Sequence, residues 1–456
     1  MNQWTTRILA EYVRDTAAGT LSTDGAQAAG NVLIDLIGCA AVGFSSPAAR
    51  AARNTVRRLY APGPTTLWFT SDKRHAAGAA MANSTAASAL DLDDGHRKAG
   101  GHPGAAVVPA VLAVAPAFCA SGQDVAIALS AGYEVAVRVA AARDFTRLDT
   151  LSTGRWGSYG VVAAAGLLAR DTPPIIAMAF SIAGVLSPGL SAAGYSTMMG
   201  NQVKEGIPWS VMTGLTALEL ARQGLTGPLD ILDHPDYFDA TAITDGLSNG
   251  GALSEVYFKP YACCRWIHAA IDAVVELAAG GAIDPDDIRA VDVYTFERVL
   301  RLNNYPDPDT LEGAQYSLPF CLAVAAYGGA EALLPLSTAW LHRPAVTALA
   351  ERVRLHIDPL LDDRFPTETG ARVSMQTATG RIEKTVRYPL GDPGNPMDRS
   401  GLTDKFRRLA AGVMAPKDQD RLLAAVEALP DLPSVDPILN CLRRGASGDP
   451  ARTTVS

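Results

Sequence analysis

The chain has 456 residues, of which 48% are hydrophobic and 19% charged, with a formal net charge of -8. That apolar share supports a large buried core and excludes global disorder, and the length is too great for one small core. The acidic balance excludes the basic face that nucleic acid requires, so an anionic ligand needs a local basic cluster set against the overall field.

The N-terminus, Met1-Asn2-Gln3-Trp4, opens a polar helix with no apolar leader region, and an intracellular, cytoplasmic setting is expected. The first half is rich in Ala, Leu and Val at three- and four-residue spacing. It predicts helices over 3–18, 24–43, 47–59, 76–92, 106–119, 123–142, 158–170, 174–186 and 208–223. Asp24 is the expected N-cap of the second, and Ser121-Gly122 separates the fifth from the sixth. The apolar run 105–120 is broken by Pro109 and Pro116, so a buried core helix is expected and no membrane span. After about residue 257 the texture changes. Segments 290–296 and 353–357 alternate as strands, and 371–377 with 381–388 reads as a β-hairpin, with helices near 266–279 and 315–328 between them. A Pro/Gly-rich bend at 391–396 precedes a helical tail, 401–444. The fold class expected is mainly α: a large helical domain (1–256, with 398–445 packing back on it), a smaller α+β lid with an antiparallel sheet (257–397), and a flexible tail (446–456).

Six cysteines, of which only Cys263 and Cys264 are close in sequence, read as reduced thiols and not as a disulfide framework. The glycines at 184, 189, 194 and 200 do not have the spacing of a dinucleotide fingerprint, and no phosphate-binding loop occurs. His75, His234, His342 and His356 have no partner in sequence and are expected to be structural or exposed.

Three clusters could carry chemistry. Asp91-Leu-Asp-Asp-Gly-His-Arg-Lys-Ala-Gly-Gly-His102 closes an apolar helix and enters a glycine loop, with three carboxylates, two histidines and two cations in twelve residues. Its bland alternative is a solvated helix end. A metal site is a weaker alternative, because no HxH or HExxH spacing fixes a geometry, and none is expected. Lys204 precedes a Gly/Pro turn and a helix, where it could be a base, an anion clamp or a plain surface lysine. Lys259, Arg265 and His268 lie at the expected domain boundary, where they could neutralise two carboxylates or simply form a linker.

These clusters, in this order, resemble the MmgE/PrpD family. Asp91-Leu-Asp-Asp-Gly-His96 followed by His102-Pro103 is similar to the DxDD(T)H…HP run. Gly132-Tyr-Glu, Thr153-Gly154, Gly224-Leu-Thr-Gly-Pro228 and Ala314-Gln-Tyr-Ser-Leu-Pro319 match further family segments. Lys259-Pro-Tyr-Ala-Cys-Cys-Arg-Trp-Ile-His268 resembles KPYPxCRxxH, with Ala262 for the second proline. The resemblance covers roughly 5–430. It implies a helical domain with an α+β lid, a homodimer, a site between the domains, no cofactor and no metal. The residues it implies are Asp91, His102, Lys204, Lys259 and His268. The roles expected are catalysis by Lys204, His102, His268 and Asp91, and binding of a di- or tricarboxylate by Lys259, Arg265, His96 and Tyr316.

Gly95 stands where most dehydratase- and decarboxylase-like members carry Thr, Leu151 where many carry His, and Phe320 is assigned the place of a Tyr. Dehydration needs an acid for the leaving hydroxyl as well as a base, so these losses point elsewhere. The expectation is an epimerase acting by proton abstraction α to a carboxylate, most like iminodisuccinate epimerase. In it Lys204 and His102 are the bases, His268 is a third candidate and Asp91 orients His102. A lyase dehydrating 2-methylcitrate or a related acid, and a carboxylate-binding protein without turnover, are the alternatives.

Overall fold

The computed structural model describes residues 4–148, 150–187, 200–278 and 283–443. The tail 446–456 and most of the glycine-bearing stretch 184–200 lie outside them.

The first half is helical: Thr5–Ala17, Thr23–Gly43, Pro47–Leu59, Ala76–Ser88, Pro103–Val114, Gly122–Ala141, Gly157–Leu168, Pro173–Leu186 and Ile207–Arg222. Their small side chains set the packing. Ala79, Ala80, Ala82, Ala86 and Ala87 of Ala76–Ser88 are all buried, so its neighbours approach at backbone range. The N-cap of Thr23–Gly43 is Ser22, which accepts from Gly25 N at 3.1 Å; Asp24 sits inside the first turn and is not the cap. Ser121 does cap Gly122–Ala141, in a capping box with Asp124. Thr23–Gly43 is the one helix, among the described residues, long and apolar enough to cross a membrane, and most of it is buried in the core.

The second half builds a mixed four-stranded sheet in the order Val353–Ile357, Ala290–Thr295, Ala371–Gln376, Arg381–Val386. The hairpin is antiparallel as its sequence implies, with Met375 opposite Ile382. The pair Val291–Val353, however, is parallel, because the chain crosses over through the intervening helices before pairing. Val291, Val293 and Thr295 are buried on one face, where Ile271 and Val274 of His268–Ala278 and Leu322 of Leu318–Gly328 belong to the same core. On the other face Asp292 takes His356 at 2.8 Å and Arg354, so His356 has a partner that sequence spacing hid.

The tail forms Arg399–Ala410, Pro416–Glu427 and Asp436–Cys441. Phe406 and Ala410 belong to the first core, Leu409 to the second, and Gly38 faces the Phe406 backbone. This helix therefore wedges into the seam where the two cores meet. Lys405 on the same helix reaches Asp35 at 2.6 Å and the Leu92 carbonyl at 2.9 Å, one residue from Asp91.

Candidate functional site

Helix Ala76–Ser88 ends just before Asp91, whose φ of 52° is left-handed and turns the chain out of the helix. Lys204 and Glu205 are also left-handed, at 44° and 57°. Such conformations cost of order 1–3 kcal/mol each and are held only where the surroundings over-determine them. Here three of them gather around one cluster.

Asp91 is its hub. Its Oδ1 lies 3.3 Å from Lys204 Nζ and 3.6 Å from His102 Nε2, and its Oδ2 lies 3.1 Å from Lys259 Nζ. All four residues are buried. Burial alone would push the Asp91 carboxyl up, but Lys204, Lys259 and His102 together hold it well below the usual carboxylate range. Lys204 also donates to Gln315 Oε1 at 3.2 Å, and its ammonium sits 5.4 Å from the Tyr316 ring centroid.

His102 occupies the N-cap of Pro103–Val114, and its backbone N–H donates to Thr153 Oγ1 at 3.0 Å. Its Nδ1 faces the Asp94 carbonyl at 3.0 Å and Asp93 Oδ2 at 3.2 Å. Asp93 and Asp94 thus hold the ring from its Nδ1 side, while Asp91, expected to orient it, faces Nε2 at 3.6 Å. Both ring nitrogens face acceptors, which suits an imidazolium. Burial opposes the charge, but the Asp93 carboxylate outweighs it and moves the ring up to about 9. At neutral pH His102 is therefore an acid before it is a base.

Behind it, Asp94 accepts from Tyr133 Oη at 2.7 Å and from Gly104 N at 3.1 Å. Gly104 permits this approach, since a Cβ there would lie 2.2 Å from Asp94 Oδ1. Burial first, and the nearby Asp35 charge second, move the Asp94 carboxyl up to about 7.

The cluster opens into a cavity of about 200 Å³. Its polar wall includes Asp91, His96, His102, Lys204, Glu205, Arg265 and Tyr316, and its apolar wall includes Leu151, Trp266, Leu302 and Phe365. His96 is buried, and burial lowers its ring to about 4, so it faces the cavity neutral. Arg265 is held by the Leu390 and Pro389 carbonyls at 2.9 and 3.1 Å and by Asp392.

Two expected roles are corrected by position. His268 is fully buried and is not part of the cavity wall. Its Nε2 donates to the Cys263 carbonyl at 3.1 Å and its Nδ1 accepts from Arg265 at 3.3 Å, which fixes a neutral ring. Burial and the charges of Arg265 and Lys259 keep it well below the usual histidine range. It steadies Arg265; its expected role as a base has no support in this placement. Lys259 is equally buried and is not part of the cavity wall; its ammonium lies against Asp91, which is.

Phe320 lies in the second core, not on the wall, so its apolar character takes nothing from the cavity. Sequence reasoning missed Asp93, Glu205 and Tyr257. Asp93 stands inside the acidic run and Glu205 adjoins Lys204, so proximity to named residues was the available signal. Glu205 accepts from Thr153 N and Oγ1 at 3.1 and 3.0 Å, tying two wall loops together.

Asp91, Asp93 and His102 bring ligand atoms within 4.8 Å of one another. Both Asp91 oxygens already face ammonium groups, and a divalent cation would sit against two positive charges. The donor set suits protons better than a metal.

The MmgE/PrpD N-terminal domain model matches residues 7–247, and the MmgE/PrpD C-terminal domain model matches 261–431. The chain is 25% identical to a cis-aconitate decarboxylase of Aspergillus terreus over 478 residues, covering 95% of each chain. It is 26% identical to the cis-aconitate decarboxylase-like protein oryM of Aspergillus oryzae, covering 91% of each. It is 24% identical to cis-aconitate decarboxylase of Homo sapiens, covering 97% of this chain and 95% of the other.

Proposed function

Because the chain belongs to the MmgE/PrpD family, we propose that it is a lyase acting on a small unsaturated or hydroxylated tricarboxylic acid, with His102 as proton donor. The observation that carries this reading is the His102 ring, which has acceptors against both nitrogens and stands beside two ammonium groups that share one carboxylate. That arrangement is poised to give a proton rather than take one. In a decarboxylation, the C–C bond to one carboxylate breaks, CO2 leaves, and the electron pair spreads into the neighbouring unsaturated system. A proton from His102 Nε2 then forms the new C–H bond, and solvent restores the ring. Lys204 and Arg265 hold the remaining carboxylates and stabilise the charge as it moves. Decarboxylation of a cis-aconitate-like acid is supported by the names of the relatives. Dehydration uses the same donor on the leaving hydroxyl and requires in addition a base that takes the proton from the neighbouring carbon as the double bond forms.

Epimerisation finds less support than the sequence alone suggests. A two-base epimerase needs bases facing each other across the α-carbon, whereas Lys204 and His102 converge on the same Asp91 oxygen. Leu151, an apolar wall residue where a proton-carrying side chain would serve a lyase, is the feature that favours it.

The test is incubation of the full chain in D2O with cis-aconitate, with citrate and, separately, with a chiral dicarboxylic amino acid, following CO2, new alkene signals, deuterium and configuration. Release of CO2 with one deuterium fixed in the product, or loss of water to a new alkene without added deuterium, supports the lyase. Deuterium at an α-carbon of an otherwise unchanged, stereochemically scrambled dicarboxylate supports the epimerase and overturns the primary reading.

A further inference from the structure

Tyr257 sits two residues before Lys259, and its backbone pairs reciprocally with Gly95 in the acidic loop: Gly95 N to Tyr257 O at 3.1 Å, and Tyr257 N to Gly95 O at 2.9 Å. This bridge fixes the two residues side by side. A Cβ built on Gly95 would lie 2.3 Å from Tyr257 Oη and 2.4 Å from its Cζ. Any side chain at 95 and the tip of this ring therefore compete for one volume, and glycine cedes it to the tyrosine. Gly95 is not in the left-handed region, so the requirement is one of space and not of backbone conformation.

The Arg265 guanidinium lies 4.7 Å from the Tyr257 ring centroid and clamps the ring. The ring is part of the cavity wall, and only 5% of the residue is exposed. The charges its hydroxyl feels most are Arg265, Cys264, Asp91 and Glu205, all of which line the same cavity. Burial holds the phenol well above its ordinary range, so it keeps its proton. Among the described residues the hydroxyl makes no hydrogen bond. A protonated hydroxyl on a buried, clamped ring at a cavity wall, with no acceptor among the described residues, is a donor awaiting a ligand.

We propose that Tyr257 is a specificity-determining residue that donates a hydrogen bond to an oxygen of the bound polyacid, and that Gly95, behind the wall, leaves the space its ring tip occupies. This rests on the reading of the cavity as a polycarboxylate site. A donor lost against a charged acceptor weakens binding by about 10- to 100-fold.

The experiment is calorimetric titration of citrate into the wild-type chain and variants, each checked for an unchanged thermal midpoint. Tyr257→Phe removes only the oxygen and is expected to bind citrate about 10- to 100-fold more weakly. Gly95→Ala, which displaces the ring tip, is expected to lose at least as much. Gly95→Ser with Tyr257→Leu supplies a hydroxyl from the other strand and is expected to bind more tightly than Tyr257→Leu alone, a rescue that a merely structural role would not give. Citrate binding by Tyr257→Phe equal to wild type overturns the inference and leaves the carboxylate reading standing. Absence of binding of citrate, cis-aconitate and malate to the wild-type chain overturns both.

Discussion

Two buried lysine–aspartate contacts flank the same short loop and differ in what they leave over. In the first, Lys405 meets Asp35 at 2.6 Å and the Leu92 carbonyl at 2.9 Å, one cation on one carboxylate with the spare donor used by the backbone. Burial opposes the Lys405 charge, and Asp35 more than restores it. In the second, Asp91 is shared by Lys204, Lys259 and the His102 ring. The first is closed in both charge and space. In the second, Asp93 answers the His102 charge and two ammonium groups still share the single Asp91 carboxylate, and the cluster faces a cavity. The same residue types thus make a rivet in one place and an anion-receiving, proton-donating site in the other, and the stoichiometry of charge separates them.

Removing the hub should break the second contact most severely. Asp91→Asn leaves two buried ammonium groups without a carboxylate, which costs ~3–5 kcal/mol of stability. Because the groups act as a unit, turnover should fall on the order of 10³-fold or more, read by denaturant unfolding and product assay. His102→Gln should cost about 10²–10⁴-fold in kcat, with a smaller stability loss, since it removes the proton donor and leaves the lysines paired.

The rivet should behave in the opposite way. Lys405→Met strands Asp35 and should cost ~3–5 kcal/mol while leaving kcat within roughly tenfold of wild type. Adding Asp35→Leu should recover most of that stability, a coupling that a double-mutant cycle measures directly. The smallest effect belongs to His268→Asn. If the ring only steadies Arg265, KM should rise by less than about tenfold with kcat nearly unchanged; a collapse of kcat with KM intact would restore the catalytic role denied to it.

How far this contrast was legible in the sequence depends on distance along the chain. The helices of the first half were readable because apolar spacing survives in a single sequence, and the hairpin 371–377/381–388 because its alternation and turn are local. Asp91, His102 and Lys204 were readable through the resemblance, and they do meet. The Lys405–Asp35 pair was not, since 370 residues separate them and nothing local marks either partner. The parallel pairing of Val291 with Val353 was hidden for the same reason: register across a crossover is set by packing. His268 misled because it follows Arg265 by three residues, which puts them in contact but turns the ring toward Cys263 and away from the cavity. Tyr257 escaped notice because its significance lies in the missing side chain of Gly95, a relation visible only once the two backbones are paired.

The charge on His102 ties stability to activity. Its folded-state value, about 9, lies above the ordinary 6.5. Its contribution to stability is therefore complete below about pH 6.5 and is lost as pH rises through about 9. The competent acid form disappears over the same upper range. The most direct test is a pH titration of the 15N-labelled imidazoles by NMR, with the His102 signal assigned by its absence in His102→Gln. Titration near pH 9, moving to lower pH in Asp93→Asn, is the result this account predicts. A His102 ring that titrates at or below pH 6.5 and ignores Asp93 would contradict it.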